Sequence, residues 1–181
     1  DTVVLAVPSA FLKVFLQPLE VPLRDKFVIS AVKGIIPDEY QTVIDYVTQR
    51  YGLNEERTGI ITGPSHAEEV GREGLSYLTA VCPDERRAHE FGAMFATEYI
   101  RLSCSTDMHG VEYAAIVKNI YAIAVGFAVG LGYGDNFLAV LISNCAMEMS
   151  NFLNHCFPGE RNTRSSAYLG DLLVTCYSTY S

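Results

Sequence analysis

The spacing of apolar and polar positions along this chain changes once, near residue 105, and the change divides it in two. Thr2–Val7 is a β-branched apolar run closed by Pro8-Ser9, the pattern of a buried parallel strand ending in a turn. Ala10–Leu16 predicts a short helix before Pro18. Lys26–Ser30 predicts a second strand, leading into the loop Ala31-Val32-Lys33-Gly34. Glu39–Arg50 carries Tyr40, Val43, Ile44 and Val47 at helical spacing. Thr58–Thr62 predicts a third strand, followed by the turn Gly63-Pro64-Ser65 and a helix over Ala67–Gly71. Strands over Tyr77–Val81 and Ile100–Ser103 flank a charged helix from Asp84 to Ala96. Strands alternating with helices predict an α/β arrangement around a mostly parallel sheet. Such a sheet binds its ligands outside the carboxyl ends of its strands, where Lys33 and the Gly63–Ser65 turn both fall.

After Ser105 no strand pattern remains. Helices are expected over Val111–Ala128 and Phe137–Leu153, joined by Gly130-Leu131-Gly132-Tyr133-Gly134. The expected organisation is an α/β domain over 1–105 and an all-α domain over 106–181.

One charge stands out in the first of these helices. The neighbours of Lys118 are Ala114, Ile116, Val117, Ile120, Ile123, Ala124 and Val125, and a helix apolar on all sides is a buried one. Lysine is almost never buried without a partner or a purpose. Burial disfavours the ammonium, so a lowered pKa and proton exchange near neutral pH are expected of Lys118. The alternative is a lysine whose head snorkels to water. A membrane span is not expected, because Lys118 and Asn119 at one end and Gly126, Gly130 and Gly132 at the other leave too short an apolar run.

Composition narrows the choices. Apolar residues make up 49% of the 181 and charged ones 19%, enough for a sizeable core. Thirteen basic against 21 acidic residues give a net charge of −8, which argues against nucleic acid and anionic lipid as partners. Five scattered cysteines with no C-x-x-C pair read as reduced thiols, and the chain opens without a basic n-region, so a cytoplasmic location is expected. The four histidines (His66, His89, His109, His155) lack ligand spacing, and no metal is expected.

Five stretches together carry a family resemblance: Val7-Pro8-Ser9; Ser30-Ala31-Val32-Lys33-Gly34; Gly63-Pro64-Ser65-His66-Ala67-Glu68-Glu69-Val70; Val117-Lys118-Asn119 with Gly130–Asn136; and Leu169-Gly170-Asp171-Leu172-Leu173-Val174-Thr175-Cys176. In this order and spacing the chain resembles the NAD(P)-dependent glycerol-3-phosphate dehydrogenases, above all the bacterial type, over essentially its whole length. The resemblance implies the later part of a Rossmann-like NAD(P)-binding domain without its glycine-rich loop, followed by the front half of a helical substrate domain like that of 6-phosphogluconate dehydrogenases. It implies interconversion of dihydroxyacetone phosphate and sn-glycerol 3-phosphate with NADH or NADPH, for phospholipid synthesis, in an enzyme that is often a homodimer. The piece by itself is expected to be inactive and not to hold the cofactor tightly.

Carried over by position, Lys118 resembles the catalytic lysine. Lys33 matches a lysine that meets substrate and cofactor, Gly63 and Ser65 a substrate-holding turn, and Ala67 a backbone contact to the cofactor. Asn119, Asp171, Thr175 and Ser181 match further substrate-binding positions. His66 stands where an aromatic Phe is usual, Ala114 and Ala115 where glycines precede the lysine, and His109 where an apolar residue is usual. The rivals to this reading are a related dehydrogenase acting on a hydroxy acid or nucleotide sugar, and a non-catalytic binding domain.

Overall fold

The computed structural model describes residues 1–20 and 22–178. The chain opens with strand β1 (Thr2–Leu5), helix α1 (Ser9–Leu16) and strand β2 (Phe27–Ser30). Residues 35–42 form a ribbon of two-residue strands, β3 (Ile35–Ile36) and β4 (Gln41–Thr42), with Ile35 opposite Thr42. This ribbon takes up the front of the helix expected from Glu39, and α2 begins only at Val43 and runs to Tyr51. Thr42 caps it, its hydroxyl accepting from the Asp45 N–H at 3.2 Å. Then follow β5 (Thr58–Thr62), the single-turn α3 (Ala67–Val70), β6 (Ser76–Val81), α4 (Glu85–Gly92) and β7 (Ile100–Ser105).

These strands make one five-stranded sheet in the order β1-β2-β5-β6-β7. β1, β2 and β5 are parallel, but β6 returns antiparallel to β5, with Thr62 opposite Thr79, and β7 then runs parallel to β6. The sheet is thus mostly parallel, as expected, with one antiparallel seam where the chain turns back after β5. The connection spans residues 63–75, and its one helix is the four-residue α3, which advances ~6 Å and cannot by itself return the chain along a strand of ~17 Å. The chain doubles back instead, the Tyr77 N–H donating to the Pro64 carbonyl at 3.4 Å. β6 therefore starts where β5 ended.

The sheet is covered on both faces. Leu5, Val28 and Ile36 pack with α1 and α2 through Leu12, Val43 and Val47, while Ile29, Ile61 and Ala80 pack against α4 through Ala88 and Phe91. A third cluster joins Ile44, Ile60 and Val81 of the α/β part to the helices that follow. These are α5 (Met108–Gly130), α6 (Asp135–Cys156) and α7 (Asp171–Tyr177), the last entered through a π-helical turn at Ser166–Gly170.

α5 corrects one expectation. By length and composition it is apolar enough to cross a membrane, yet only 33% of its most apolar stretch is buried. Val111, Ala114, Ala115, Lys118 and Val125 face inward, whereas Ile120, Ile123 and Phe127 are more than half exposed. Apolar composition on every side did not mean burial on every side.

The start of α5 is fixed by charge. Asp107 accepts from the Gly110 N–H at 3.0 Å as its N-cap, and from Arg161 Nε at 2.7 Å and the Tyr168 hydroxyl at 2.6 Å. Burial works against the charge of Asp107, but these donors outweigh it and hold the carboxyl below the usual carboxylate range. One residue thus ties the head of α5 to the segment before α7. Asp107→Ala would leave the Arg161 guanidinium, only 4% exposed, without its counter-ion. We expect a loss of roughly 3–5 kcal/mol in urea unfolding at pH 7. Because the folded-state pKa is lowered, the wild type's advantage is present above about pH 4 and shrinks as pH falls below it.

Candidate active site

Five of the residues singled out in the sequence, Lys33, Gly63, Lys118, Asp171 and Thr175, meet at the carboxyl ends of β2 and β5, under α7. Lys33 leaves β2 in the loop before β3, Gly63 follows β5 directly, and Lys118 lies on the buried side of α5. Asp171, first residue of α7 and 1% exposed, sits between the two lysines. Its Oδ1 lies 2.6 Å from Lys118 Nζ, and its Oδ2 3.0 Å from Lys33 Nζ. Lys33 also donates to the Gly63 carbonyl at 3.1 Å. Thr175, one turn along α7, accepts from Lys118 Nζ at 3.0 Å and donates its own hydrogen to the Asp171 carbonyl at 2.6 Å.

The chain's local chemistry explains why these groups stay in place. The first turn of a helix favours a negative side chain, which suits Asp171 where it is. Gly63 sits at φ +131°, and a Cβ there would lie 2.4 Å from the Tyr77 carbonyl oxygen. The close approach of β6 therefore excludes any side chain at that position. Ser65 bends back to donate to the Gly63 carbonyl at 3.2 Å, and Gly170, just before α7, faces Pro64 of the same turn. Thr79 holds the π-helical turn from the sheet side, its hydroxyl 3.3 Å from that of Ser166.

Burial and charge together set the state of Lys118. Lys118 is only 5% exposed. Loss of hydration lowers its pKa, the carboxylate of Asp171 raises it, and the ammonium of Lys33 lowers it again, with a net fall from 10.5 to about 8. Two cations share one anion, so the cluster carries a net positive charge. It suits an oxygen that gains negative charge, or an anionic ligand reaching the less buried Lys33, whose side chain is 30% exposed.

Four further assignments fall differently. Lys33, Ser65 and Ala67 line one cavity of about 370 Å³, along with Thr62, whose buried hydroxyl finds no hydrogen-bond partner among the described residues. Asn119 is exposed on α5 and stands outside the cluster around Asp171. Ser181 lies outside the described residues. The two carboxylates that anchor α5, Asp107 and Glu112, were not singled out from the sequence. Asp107, just ahead of a long apolar run, has the position of an N-cap and could have been. Its partners Arg161 and Tyr168 could not, because nothing local marks them.

The fold and cluster have known counterparts. A family model described as the N-terminus of NAD-dependent glycerol-3-phosphate dehydrogenase matches residues 1–88, and one described as its C-terminus matches residues 107–181. A glycerol-3-phosphate dehydrogenase [NAD(P)+] of Chlorobium limicola is 36% identical over all of this chain and 55% of its own. One from Fusobacterium nucleatum is 33% identical over all of this chain and 54% of its own. The chain thus spans about half the length of the curated relatives it matches. Among solved structures, glycerol-3-phosphate dehydrogenase from Coxiella burnetii has a TM-score of 0.86 at 27% identity, covering 98% of this chain and 54% of its own. A second, from Dunaliella salina, has the same score at 23% identity, over 98% of this chain and 31% of its own, and speaks for the fold alone. By sequence over both halves, and by fold, this chain belongs to the NAD-dependent glycerol-3-phosphate dehydrogenase family.

Proposed function

We propose that the protein containing this chain interconverts dihydroxyacetone phosphate and sn-glycerol 3-phosphate, with Lys118 as the group that gives and takes the proton. The observation that carries this reading is a lysine 5% exposed, with its pKa brought down to about 8, held on a carboxylate at the carboxyl end of a parallel strand pair. In the ketone-to-alcohol direction Lys118 would donate its proton to the carbonyl oxygen as that oxygen gains electrons; in the reverse direction it would take the hydroxyl proton. Asp171 keeps the ammonium oriented in both directions, and Thr175 holds Nζ from the other side. Lys33 supplies a second positive charge that favours an anionic substrate. Ser65 lies at the turn where a substrate hydroxyl or phosphate would approach, and Asn119, one residue past Lys118, is assigned to the substrate by family position.

A nicotinamide cofactor, NAD or NADP, would supply or accept the hydride. Lys33 and Ala67, the two positions matched to cofactor contacts, line one cavity together with the unpartnered hydroxyl of Thr62, which fits the edge of such a group. We divide the chain at about residue 105, with Lys33 and the Gly63–Ser65 turn on the α/β side and Lys118, Asp171 and Thr175 on the helical side. A soluble, cytoplasmic enzyme agrees with α5, since Lys118 on its buried side finds its partners on α7 rather than in a surrounding lipid. Dimerisation agrees with the apolar side chains that α5 leaves exposed.

The test is an assay of the whole protein for NADH and NADPH oxidation driven by dihydroxyacetone phosphate. Lys118→Ala should lower kcat by roughly 10²–10⁴-fold while the far-ultraviolet circular dichroism stays that of the wild type. A loss smaller than tenfold would sink the assignment. Reduction needs protonated Lys118 and should decline above about pH 8, whereas oxidation should rise through the same pH. Asp171→Asn removes the one group that raises this pKa, so both pH profiles should move to lower pH and the melting temperature should fall.

A further inference from the structure

The buried carboxylate that this reaction leaves unused is Glu112, on α5 and 4% exposed. It does not face the two lysines. Instead it accepts from the Ile44 N–H at 3.0 Å, at the first turn of α2. The Thr42 hydroxyl and the Val43 N–H favour its charge from the same place. The N-terminus of α2 is thus capped twice, from within by Thr42 and from α5 by Glu112. Around this contact the packing is apolar, with Ile44 in the same cluster as Val111 and Ala114 of α5.

The position of the cap gives it leverage. Lys118 follows Glu112 on the same rigid helix, within two turns. Lys33 is joined to α2 by the β3–β4 ribbon alone. Clamping α5 to the start of α2 therefore links the helix that carries one lysine to the segment that carries the other. We propose that Glu112 is a positioning residue for Lys118: by capping α2 from α5 it fixes how the two lysines meet on Asp171. The inference rests on Lys118 being the proton-transfer group.

The setting gives this carboxyl an unusual titration. Burial, helped by the nearby Asp45 on α2, pushes it up to about 7 against the pull of the α2 donors. Tyr113, next on α5, and beyond it Cys156 of α6 are other titratable groups on that side. A carboxyl whose folded pKa is raised contributes its full stability below the unfolded value, and that contribution is lost as pH rises through about 7. Glu112→Gln, which keeps an acceptor and cannot ionise, should remove this pH dependence of the melting temperature.

Positioning is read from Lys118 itself. Carbon-13 NMR of the lysine ε-carbons, assigned with Lys118→Arg, follows its titration without any need for turnover. The wild type should titrate near 8, and so should Glu112→Gln. Glu112→Leu, which deletes the cap, should move the Lys118 midpoint by at least half a pH unit and lower kcat/KM by at least tenfold. Glu112→Asp, with its shorter reach, should move the midpoint in the same direction by less, and it decides the matter should the leucine variant not fold. A lower melting temperature with the Lys118 midpoint unmoved would show a purely structural strut and overturn the proposal. A glutamine variant shifted as far as the leucine one would overturn it too, since charge rather than the cap would then be acting. If the wild type turns over no dihydroxyacetone phosphate, the reaction assignment fails, while the NMR comparison still decides whether Glu112 sets the state of Lys118.

Discussion

Everything at this site depends on one shared carboxylate. Asp171 stands between two ammonium groups that would otherwise repel each other at the edge of a buried space, and an unpaired buried charge is among the costliest features a fold can hold. Its place at the start of α7 brings a favourable helix end to the same spot. Because one anion serves two cations, neither lysine is fully neutralised. Lys118 remains an ammonium ready to release its proton, which a private ion pair would have made a much weaker acid.

The rest of the structure supports that carboxylate from two sides. On the helical side, Asp107 joins the head of α5 to Arg161 and Tyr168, so the segment leading to Asp171 is tied to the helix that bears Lys118. On the sheet side, the Gly63 turn gives up a carbonyl to Lys33 and packs against Gly170. The site is held by polar contacts between elements and by apolar clusters between layers. Both kinds of contact cross from the α/β part to the helical part.

Much of this was legible in the sequence, for definite reasons. Lys118 was conspicuous because a single charge in a long apolar run is costly unless answered, and the answer lay in a second motif, Leu169–Cys176, that contains Asp171. The parallel strands β1, β2 and β5 were legible from short β-branched runs closed by turn residues. The two-residue strands β3 and β4 were not, since they are too short to show alternation, and Asp38 and Tyr40 reach left-handed φ of 66° and 53° without a glycine to announce it. The reversal at β6 was hidden because its strand pattern carries no direction, and a connection over residues 63–75 is long enough to serve either a parallel or an antiparallel partner. The exposed side of α5 was hidden because composition says that a residue is apolar and not what lies against it.

The distance between Lys33 and Asp171 along the chain has a consequence for how the molecule forms. These partners are 138 residues apart in sequence. Contacts of such long range carry the larger loop-closure cost and slow folding relative to local ones. Until α7 docks, both lysines remain hydrated and the end of α5 lacks its covering helix. The charged centre therefore becomes dry only when α7 docks, and nothing that depends on a buried ammonium can precede that step.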